Sequence, residues 1–398
     1  MTDYGTAETK CVKCGACTSV CPVYQVTGKE SLTARGRLHL IDNPPERISA
    51  VYSEIFSQCL LCGACEDACP RGIKIRDTII KTRTDTVETW SYLHIKQLTA
   101  QKTLASPFLL KYFGNITKKL TELPQESGLL QKLTVFTPKL PSLSQPAGQP
   151  GPANKKKGEI NYFSGCLANY LVPDIKEATI NLVRQAGRYG CRTNEGQTCC
   201  GLVSYTAGRI EQAQKTARLN IEAFEDNNYP ILTSCASCYF HLRSYPDILS
   251  GDPVWVKKAR LFSERLRELS CFMVEEIPEN FSPRKGERIR VAIHDPCHLR
   301  FGREKITEPP RQLIRKAGNI TLLEIPERCC GHGGLFQMKY PELSHKIADK
   351  KIKDLSTALP HYLLTTCSGC LLQLNRAAVR SGLPIKTCHL SVFINHFL

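Results

Sequence analysis

Two runs near the start of the chain, CVKCGACTSVCP over 11–22 and CLLCGACEDACP over 59–70, each read C-x2-C-x2-C-x3-C-P. Thiolates at this spacing enclose a [4Fe-4S] cubane with the first three cysteines, while the fourth, ahead of proline, reaches the other cluster. The pattern assigns one site to Cys11, Cys14, Cys17 and Cys69, and a second to Cys59, Cys62, Cys65 and Cys21. Gly15 and Gly63 allow the tight turn that presents backbone amides to sulfide. Zinc needs only four thiolates and usually pairs two Cys-x-x-Cys knuckles, so it fits two such runs poorly.

Ten more of the 21 cysteines form a five-cysteine pattern that occurs twice. The first copy is Cys166, Cys199, Cys200, Cys235 and Cys238; the second is Cys297, Cys329, Cys330, Cys367 and Cys370. Subtracting the first set from the second gives 131, 130, 130, 132 and 132, which marks a duplication. Five thiolates exceed what a tetrahedral zinc uses, so a polynuclear iron–sulfur cluster accounts for the full set better. Zinc with a spare cysteine and a redox-active Cys-x-x-Cys dithiol stay open as alternatives. The adjacent pairs Cys199-Cys200 and Cys329-Cys330 call for a tight turn, which Gly201 and Gly331 fit. Cys191, Cys271 and Cys388 lie outside every pattern and read as core residues.

His294, Asp295 and His298 flank Cys297, and His332 follows Cys330-Gly331. Each imidazole is either a structural hydrogen-bonder or a donor to a cluster sulfur. No Gly-rich dinucleotide loop, phosphate loop or Ser-His-Asp order appears, so no catalytic residue is assigned and the chain is not expected to bind its own flavin or nicotinamide.

The elements that must position these residues follow one plan in both copies. Strand-like EINYFSGC and IRVAIHDPC lead to Cys166 and Cys297; helices are expected near Ile175 to Tyr189 and Arg311 to Ala317. ITLLEIPERCC reads as the strand-like lead to Cys330. Second helices near Ile210 to Glu225 and Leu343 to Leu355 lead to YPILTSC and HYLLTTC. Alternating strands and helices predict parallel sheets with ligands gathered at the carboxyl ends of the strands, one site per copy. The expected fold is thus α+β and α/β: a mostly helical two-cluster module, then a duplicated α/β cysteine-rich domain. Its parts are 1–85 (two-cluster module), 86–157 (basic helical connector and Pro/Gly linker), 158–285 (first repeat) and 286–398 (second repeat). Leu93, Leu98, Leu104, Phe108 and Ile116 recur at roughly helical spacing in the connector.

With 398 residues, 42% apolar and 23% charged, the composition is that of an ordinary globular protein. Neither a transmembrane stretch nor a signal peptide is read in it, which points to the cytoplasm, where reduced thiols favour metal ligation over disulfides. The net charge of +16 suits an acidic partner, an anionic membrane surface or a solvated basic face with no specific partner. No nucleic-acid module is present, so no nucleic-acid partner is expected.

Two ferredoxin-type runs followed by two Cys-Cys-Gly repeats resemble the iron–sulfur subunit of glycolate oxidase and related FAD-linked D-lactate dehydrogenases. The Arg35-Gly36-Arg37-Leu38 segment and FSGCLANY around Cys166 are similar to that group. The iron–sulfur subunit of anaerobic glycerol-3-phosphate dehydrogenase shares the module order. The repeats also resemble the cysteine-rich subunit of heterodisulfide reductase, whose five-cysteine sets hold noncubane [4Fe-4S] clusters. Many glycolate subunits keep only the cysteines matching Cys238 and Cys370; with Cys235 and Cys367 also present, this chain stands nearer the heterodisulfide reductase pattern. The resemblance implies an electron-transfer subunit, not catalytic alone, paired with an FAD-bearing 2-hydroxy-acid dehydrogenase. It further implies delivery to quinone or another acceptor, and a place in the cytoplasm or on the cytoplasmic face of the inner membrane. A heterodisulfide-reductase-like thiol–disulfide reductase is the alternative that it leaves open.

Overall fold

The computed structural model describes residues 11–86, 158–185, 189–277 and 288–397. The connector helix and the linker expected between 86 and 157 lie outside the described residues, apart from Thr86 at the end of a helix.

The N-terminal module is a set of short helices. Thr33 starts Ala34–Asp42 by accepting a hydrogen bond from the Gly36 amide at 3.0 Å, and Ser49 starts Ala50–Ser57 by accepting from Tyr52 at 3.1 Å. The Asn43-Pro44-Pro45 breaker separates these two helices, since proline cannot continue the ladder. Ile75, Ile79 and Ile80 on the helix Ile75–Asp85 pack with Leu38, Phe56 and Leu61 into the module's core.

Each repeat builds a four-stranded, fully parallel sheet. In the first, β1 (Gly158–Tyr162), β2 (Tyr189–Thr193), β3 (Ile231–Thr233) and β4 (Leu266–Glu268) lie in the order β2-β1-β3-β4. In the second, β5 (Ile289–His294), β6 (Ile320–Leu323), β7 (Tyr362–Thr365) and β8 (Lys386–His389) lie in the order β6-β5-β7-β8. The central strands are apolar where both faces are buried: Val291, Ala292 and Ile293 on β5, Leu363 and Leu364 on β7. The strand order reverses between β1 and β3 and between β5 and β7, which opens a crevice at their carboxyl ends.

Three strands depart from the sequence reading. Tyr189 opens β2; the helix before it is described only as far as Gln185. β4 and β8 had no sequence signal, because edge strands of three and four residues are too short to show a period.

The repeats pack reciprocally. Pro173–Gln185 of the first lies on Leu390–Phe397 of the second, and Leu269–Glu276 of the first on Glu308–Lys316 of the second. Their hydrophobic cores are shared: Phe163, Ile231 and Leu266 belong to one cluster with Leu363, Leu374 and Ala377. Ala236 N donates to Thr366 O at 2.9 Å across the boundary. Sharing cores and a backbone hydrogen bond makes the two repeats one body.

Candidate metal centres

Both N-terminal runs adopt one loop conformation. Lys13 and Leu61, each preceding the second cysteine, have φ of 53°, and Gly15 and Gly63, each following it, have φ of 83°. A left-handed backbone at a lysine and a leucine is uncommon, so its recurrence marks a loop shaped around its three thiols. Cys21, Cys59, Cys62 and Cys65 line one small cavity of about 30 Å³. Burial pushes the Cys62 thiol up to about 12 and raises Cys65 and Cys21 as well. Cys11, Cys17 and Cys69 pack against the module's core, and Cys14 is exposed. The two expected groupings therefore differ in setting: one is enclosed and the other reaches solvent.

Cys62 also sits beside the second repeat, packed in one cluster with Cys21, Leu60, Phe336, Cys297 and Cys329. Several contacts fasten the module there. Arg76 Nη2 donates to Phe301 O at 3.1 Å, Lys305 pairs with Asp67 at 2.7 Å, and the Ser57 hydroxyl meets Tyr340. On the first repeat the anchor is Arg83, which donates to Thr206 O and, within the module, to Phe56 O and Cys59 O.

All ten repeat cysteines line a single cavity of about 130 Å³. The sequence reading expects one site per repeat, with the cysteines at strand ends or just beyond them. Cys235 and Cys367, which closely follow β3 and β7, are near enough for their thiols to hydrogen-bond, so the two sets also touch each other. Cys238 and Cys370 lie in the first turn of the helices that follow, Ala236–Arg243 and Ser368–Ser381, just beyond those strand ends. Cys166 lies in the first turn of the helix after β1, and Cys199 and Cys200 stand in the loop after β2, turned by Gly201 at φ 91°. Gly331 at φ 83° makes the matching turn after Cys329 and Cys330.

Nine of the ten side chains are linked thiol to thiol, all but Cys297. Cys330 Sγ is 3.0 Å from Cys370 Sγ, and Ser237 Oγ is 3.2 Å from Cys367 Sγ. Hydrogen bonds between neighbours push the Cys166, Cys200 and Cys329 thiols up and hold Cys199 and Cys330 well below the usual thiol range. Protons are thus shared among crowded sulfurs. Metal binding replaces those protons, and this folded arrangement supplies the thiolates that it needs.

The surroundings test whether iron–sulfur clusters fit. A Cβ on Gly165 would lie 2.9 Å from Cys238 Sγ, and one on Gly369 would lie 2.5 Å from the His332 ring, so the glycines keep the lining close without filling it. His294 Nε2, His332 Nδ1, Ser164 Oγ, Thr366 Oγ1 and Ser368 Oγ are buried beside the thiols with no protein partner among the described residues. Buried donors normally have partners, and cluster sulfurs would provide acceptors. Ligands that are all thiolate, five per repeat, with polar donors around them, fit an iron–sulfur cluster. His294 comes within 4.8 Å of Cys330 and Cys370, which makes it the imidazole nearest to a ligand role. His298 is held structurally, its Nδ1 2.9 Å from Ser237 Oγ and its ring stacked on Phe240. Asp295 lies in a buried pair with Arg311 at 2.8 Å. Of the unpatterned cysteines, Cys388 is buried in the core, while Cys191 and Cys271 are half-buried against it.

Sequence reasoning missed two residues at the site. His241, fully buried, lies between the Tyr205 and Tyr245 rings, below the first Cys-Cys-Gly turn. Lys351, 1% exposed, donates to Pro326 O at 2.6 Å behind the second turn. In sequence it stands among the lysines of DKKIKD, but the spacing Ser344, Ile347, Ala348, Lys351, Ile352 puts it on the helix's buried stripe.

Comparison with known proteins agrees with this architecture. Residues 8–73 match the model of the 4Fe-4S dicluster domain, and residues 160–243 and 291–375 match that of the cysteine-rich domain. Lactate utilization protein A of Halalkalibacterium halodurans is 31% identical over 243 residues, 60% of this chain and 97% of that protein. The protein of the same name from Geobacillus thermodenitrificans is 31% identical over 245 residues, 60% of this chain and 99% of its own length. A crystal structure of a hypothetical protein from Helicobacter pylori superposes with a TM-score of 0.54 at 9% identity, over 90% of this chain and 66% of that chain, a likeness of fold alone. With a dicluster domain ahead of paired cysteine-rich domains, and a match that spans nearly all of these relatives, the chain belongs to the iron–sulfur cysteine-rich-domain family of Lactate utilization protein A.

Proposed function

We propose that this protein is the electron-transfer subunit of a flavin-linked dehydrogenase for 2-hydroxy acids such as glycolate or D-lactate. It would take electrons from an FAD-bearing partner and deliver them to quinone or another acceptor. The observation that carries the reading is the continuity of the thiol sets: Cys62 shares one packed cluster with Cys297 and Cys329, and Cys367 abuts Cys235. The relatives' name, lactate utilization, supports a hydroxy acid as the source of electrons. Iron–sulfur clusters, when bound, supply one-electron chemistry. Cys11, Cys14, Cys17 and Cys69 would hold one and Cys59, Cys62, Cys65 and Cys21 another. Cys166, Cys199, Cys200, Cys235 and Cys238 would hold the third, and Cys297, Cys329, Cys330, Cys367 and Cys370 the fourth, the last two noncubane.

The protein's own part is to supply thiolates, exclude water and aim hydrogen bonds at sulfur. The inner three sets, buried or half-buried beside an exposed Cys14, suit a carrier that trades electrons at its edge and protects them within. No helix among the described residues is long and apolar enough to cross a membrane. The net charge of +16 favours an acidic partner or an anionic membrane surface on the cytoplasmic side, which co-sedimentation with anionic vesicles at low and high salt would separate.

Iron, sulfide and zinc analysis of anaerobically purified protein, with electron paramagnetic resonance, tests the reading. About 16 irons per chain, from four [4Fe-4S] sites, is the expected result. About 8 irons with up to two zincs would make the repeats a scaffold and overturn it. A second reading, a thiol–disulfide reductase, draws support from the cavity shared by both repeats, which is lined by Cys235 and Cys367. It requires the isolated protein, given an artificial two-electron donor, to reduce a disulfide to two thiols, and to lose that ability in Cys367→Ser.

A further inference from the structure

The two repeat sites present the same five cysteines to different surroundings. Backbone register makes the comparison residue by residue. Asn161 pairs with Ile231 in one sheet as Ala292 pairs with Leu363 in the other, and Gly201 packs on Thr216 as Gly331 packs on Ile347. At offsets of 131, 131, 130 and 131, His294 corresponds to Phe163, His298 to Leu167, His332 to Leu202 and Lys351 to Asn220. Three imidazoles and an ammonium stand where the first repeat has three apolar side chains and a neutral amide.

Lys351 matters most, because it brings a charge. Its neighbours Asp295 and Asp354 are each bound by an arginine, Arg311 at 2.8 Å and Arg328 at 2.6 Å. No carboxylate among the described residues forms an ion pair with Lys351, whose amine donates to Pro326 O. It lines one large cavity with His294, Cys329 and Cys330. Burial lowers it to about 8, so it keeps its proton at neutral pH. Asn220 occupies the matching place as a neutral clamp: it accepts from Thr198 N at 2.8 Å and donates to Cys199 O at 2.9 Å. The imidazole on that side, His241, corresponds to Gln373 and is too desolvated to be charged near neutral pH.

On the iron–sulfur reading given above, we infer that the second repeat's site is held at a higher reduction potential than the first, with Lys351 as the residue that sets the order and His294 assisting by donating to Cys330 or Cys370. Reduction adds one electron and makes or breaks no bond. A fixed positive charge in a low-dielectric interior favours the form with the added negative charge, and a donor to a ligand sulfur acts in the same direction. Electrons from the flavoprotein partner would therefore collect at the repeat that abuts Cys62, and the first repeat would fill after it.

The test is a redox titration of the full-length protein followed by electron paramagnetic resonance, with dithionite as donor and metal content measured first. Wild type should show two repeat signals with separate midpoints. In Lys351→Met the higher midpoint should fall by at least about tenfold in the ratio of reduced to oxidised form, about 59 mV for one electron, while the lower one stays. Lys351→Arg should keep the wild-type value, and His294→Phe, which installs the first repeat's residue, should move the same signal in the same direction by about threefold. Iron–sulfur repeats with coincident midpoints would overturn the inference alone, as would a Lys351→Met protein whose two signals stay put or shift together. Zinc in place of repeat iron would overturn the functional reading, and the inference with it.

Discussion

The two repeats share a sheet order and a ligand set but differ in how they meet the N-terminal module. The second faces the module's enclosed thiols, with Cys62, Cys297 and Cys329 packed in one cluster and Leu60 over Gly333. The first meets the module away from those thiols, through Arg83 on Thr206, through Gly208, whose added Cβ would lie 2.7 Å from the Arg83–Thr84 peptide, and through Tyr205 and Ile210 packed on the module's core. Duplication kept the frame that gathers the thiolates, and the copies diverged in what surrounds that frame. The strongest way to break this comparison is to remove one ligand from each copy. Cys297→Ser and Cys166→Ser should each lose about four of the roughly 16 irons, but only Cys297→Ser should also perturb the module's paramagnetic signals. Equal disturbance of the module by both would show that its contact with the second repeat is incidental.

The attachments should differ in energy as they differ in burial. Arg83 is half-buried, donates to four backbone carbonyls including Ser57 O, and stays charged, since burial lowers it only to about 10. Arg83→Met would leave several of those carbonyls unpaired and cost about 3–5 kcal/mol, seen as faster hydrogen exchange across residues 50–85. Lys305→Ala, which removes an ion pair whose lysine is 67% exposed, should change the same amides by under about 0.5 kcal/mol.

How much of this was legible follows from how local each feature is. The ferredoxin-type runs carry their ligands within a few residues, and a loop that must turn at Gly15 or Gly63 writes its geometry into the spacing. The repeats were legible as far as strand, turn and strand, because Cys166, Cys199 and Cys235 are each set by the local end of one element. Contact between Cys235 and Cys367 was not legible, since it depends on how the two sheets dock, and spacing inside a repeat carries no information on that. Lys351 was hidden for another reason: a buried lysine reads as a surface one unless its place on the apolar stripe is checked, or its counterpart Asn220 is aligned with it.

The turns sharpen the comparison at smaller scale. Gly201 and Gly331 share a left-handed backbone, but a Cβ on Gly201 meets only Thr216 atoms at 3.3 Å and His241 at 3.5 Å, whereas one on Gly331 would lie 2.6 Å from the Ser344 carbonyl oxygen. Gly201→Ala should cost about 1–2 kcal/mol from the backbone alone, and Gly331→Ala about 2–3 kcal/mol because Ser344 must also move. Thermal melts of the two holoproteins would rank them, and the reverse ranking would mean that the second turn yields more easily than its packing indicates.

The smallest effect concerns two buried groups that start the same helix in each copy. Glu268 accepts from Ser270 N at 2.7 Å and Cys271 N at 3.1 Å to begin Leu269–Glu276; His389 Nδ1 accepts from Ser391 N at 3.2 Å to begin Leu390–Phe397. Burial raises the Glu268 carboxyl and lowers His389 to about 4. The signs oppose. Folded Glu268 keeps its proton above 4.5, where the unfolded chain loses it, so its repeat loses stability as pH rises from there through the raised value. Folded His389 refuses a proton that the unfolded chain takes up below 6.5, so its repeat loses stability as pH falls from 6.5 toward 4. Hydrogen exchange of the two helices, corrected for intrinsic rates, should show Leu269–Glu276 losing protection as pH rises from 4.5 and Leu390–Phe397 losing it as pH falls from 6.5 toward 4, the latter by about 1–2 kcal/mol between pH 6.5 and 5. Glu268→Gln and His389→Gln should each flatten only their own helix's dependence. Slopes of the same sign would show that the copies respond to pH as one unit, through the cores they share, and that the difference between these two starting residues has no energetic consequence.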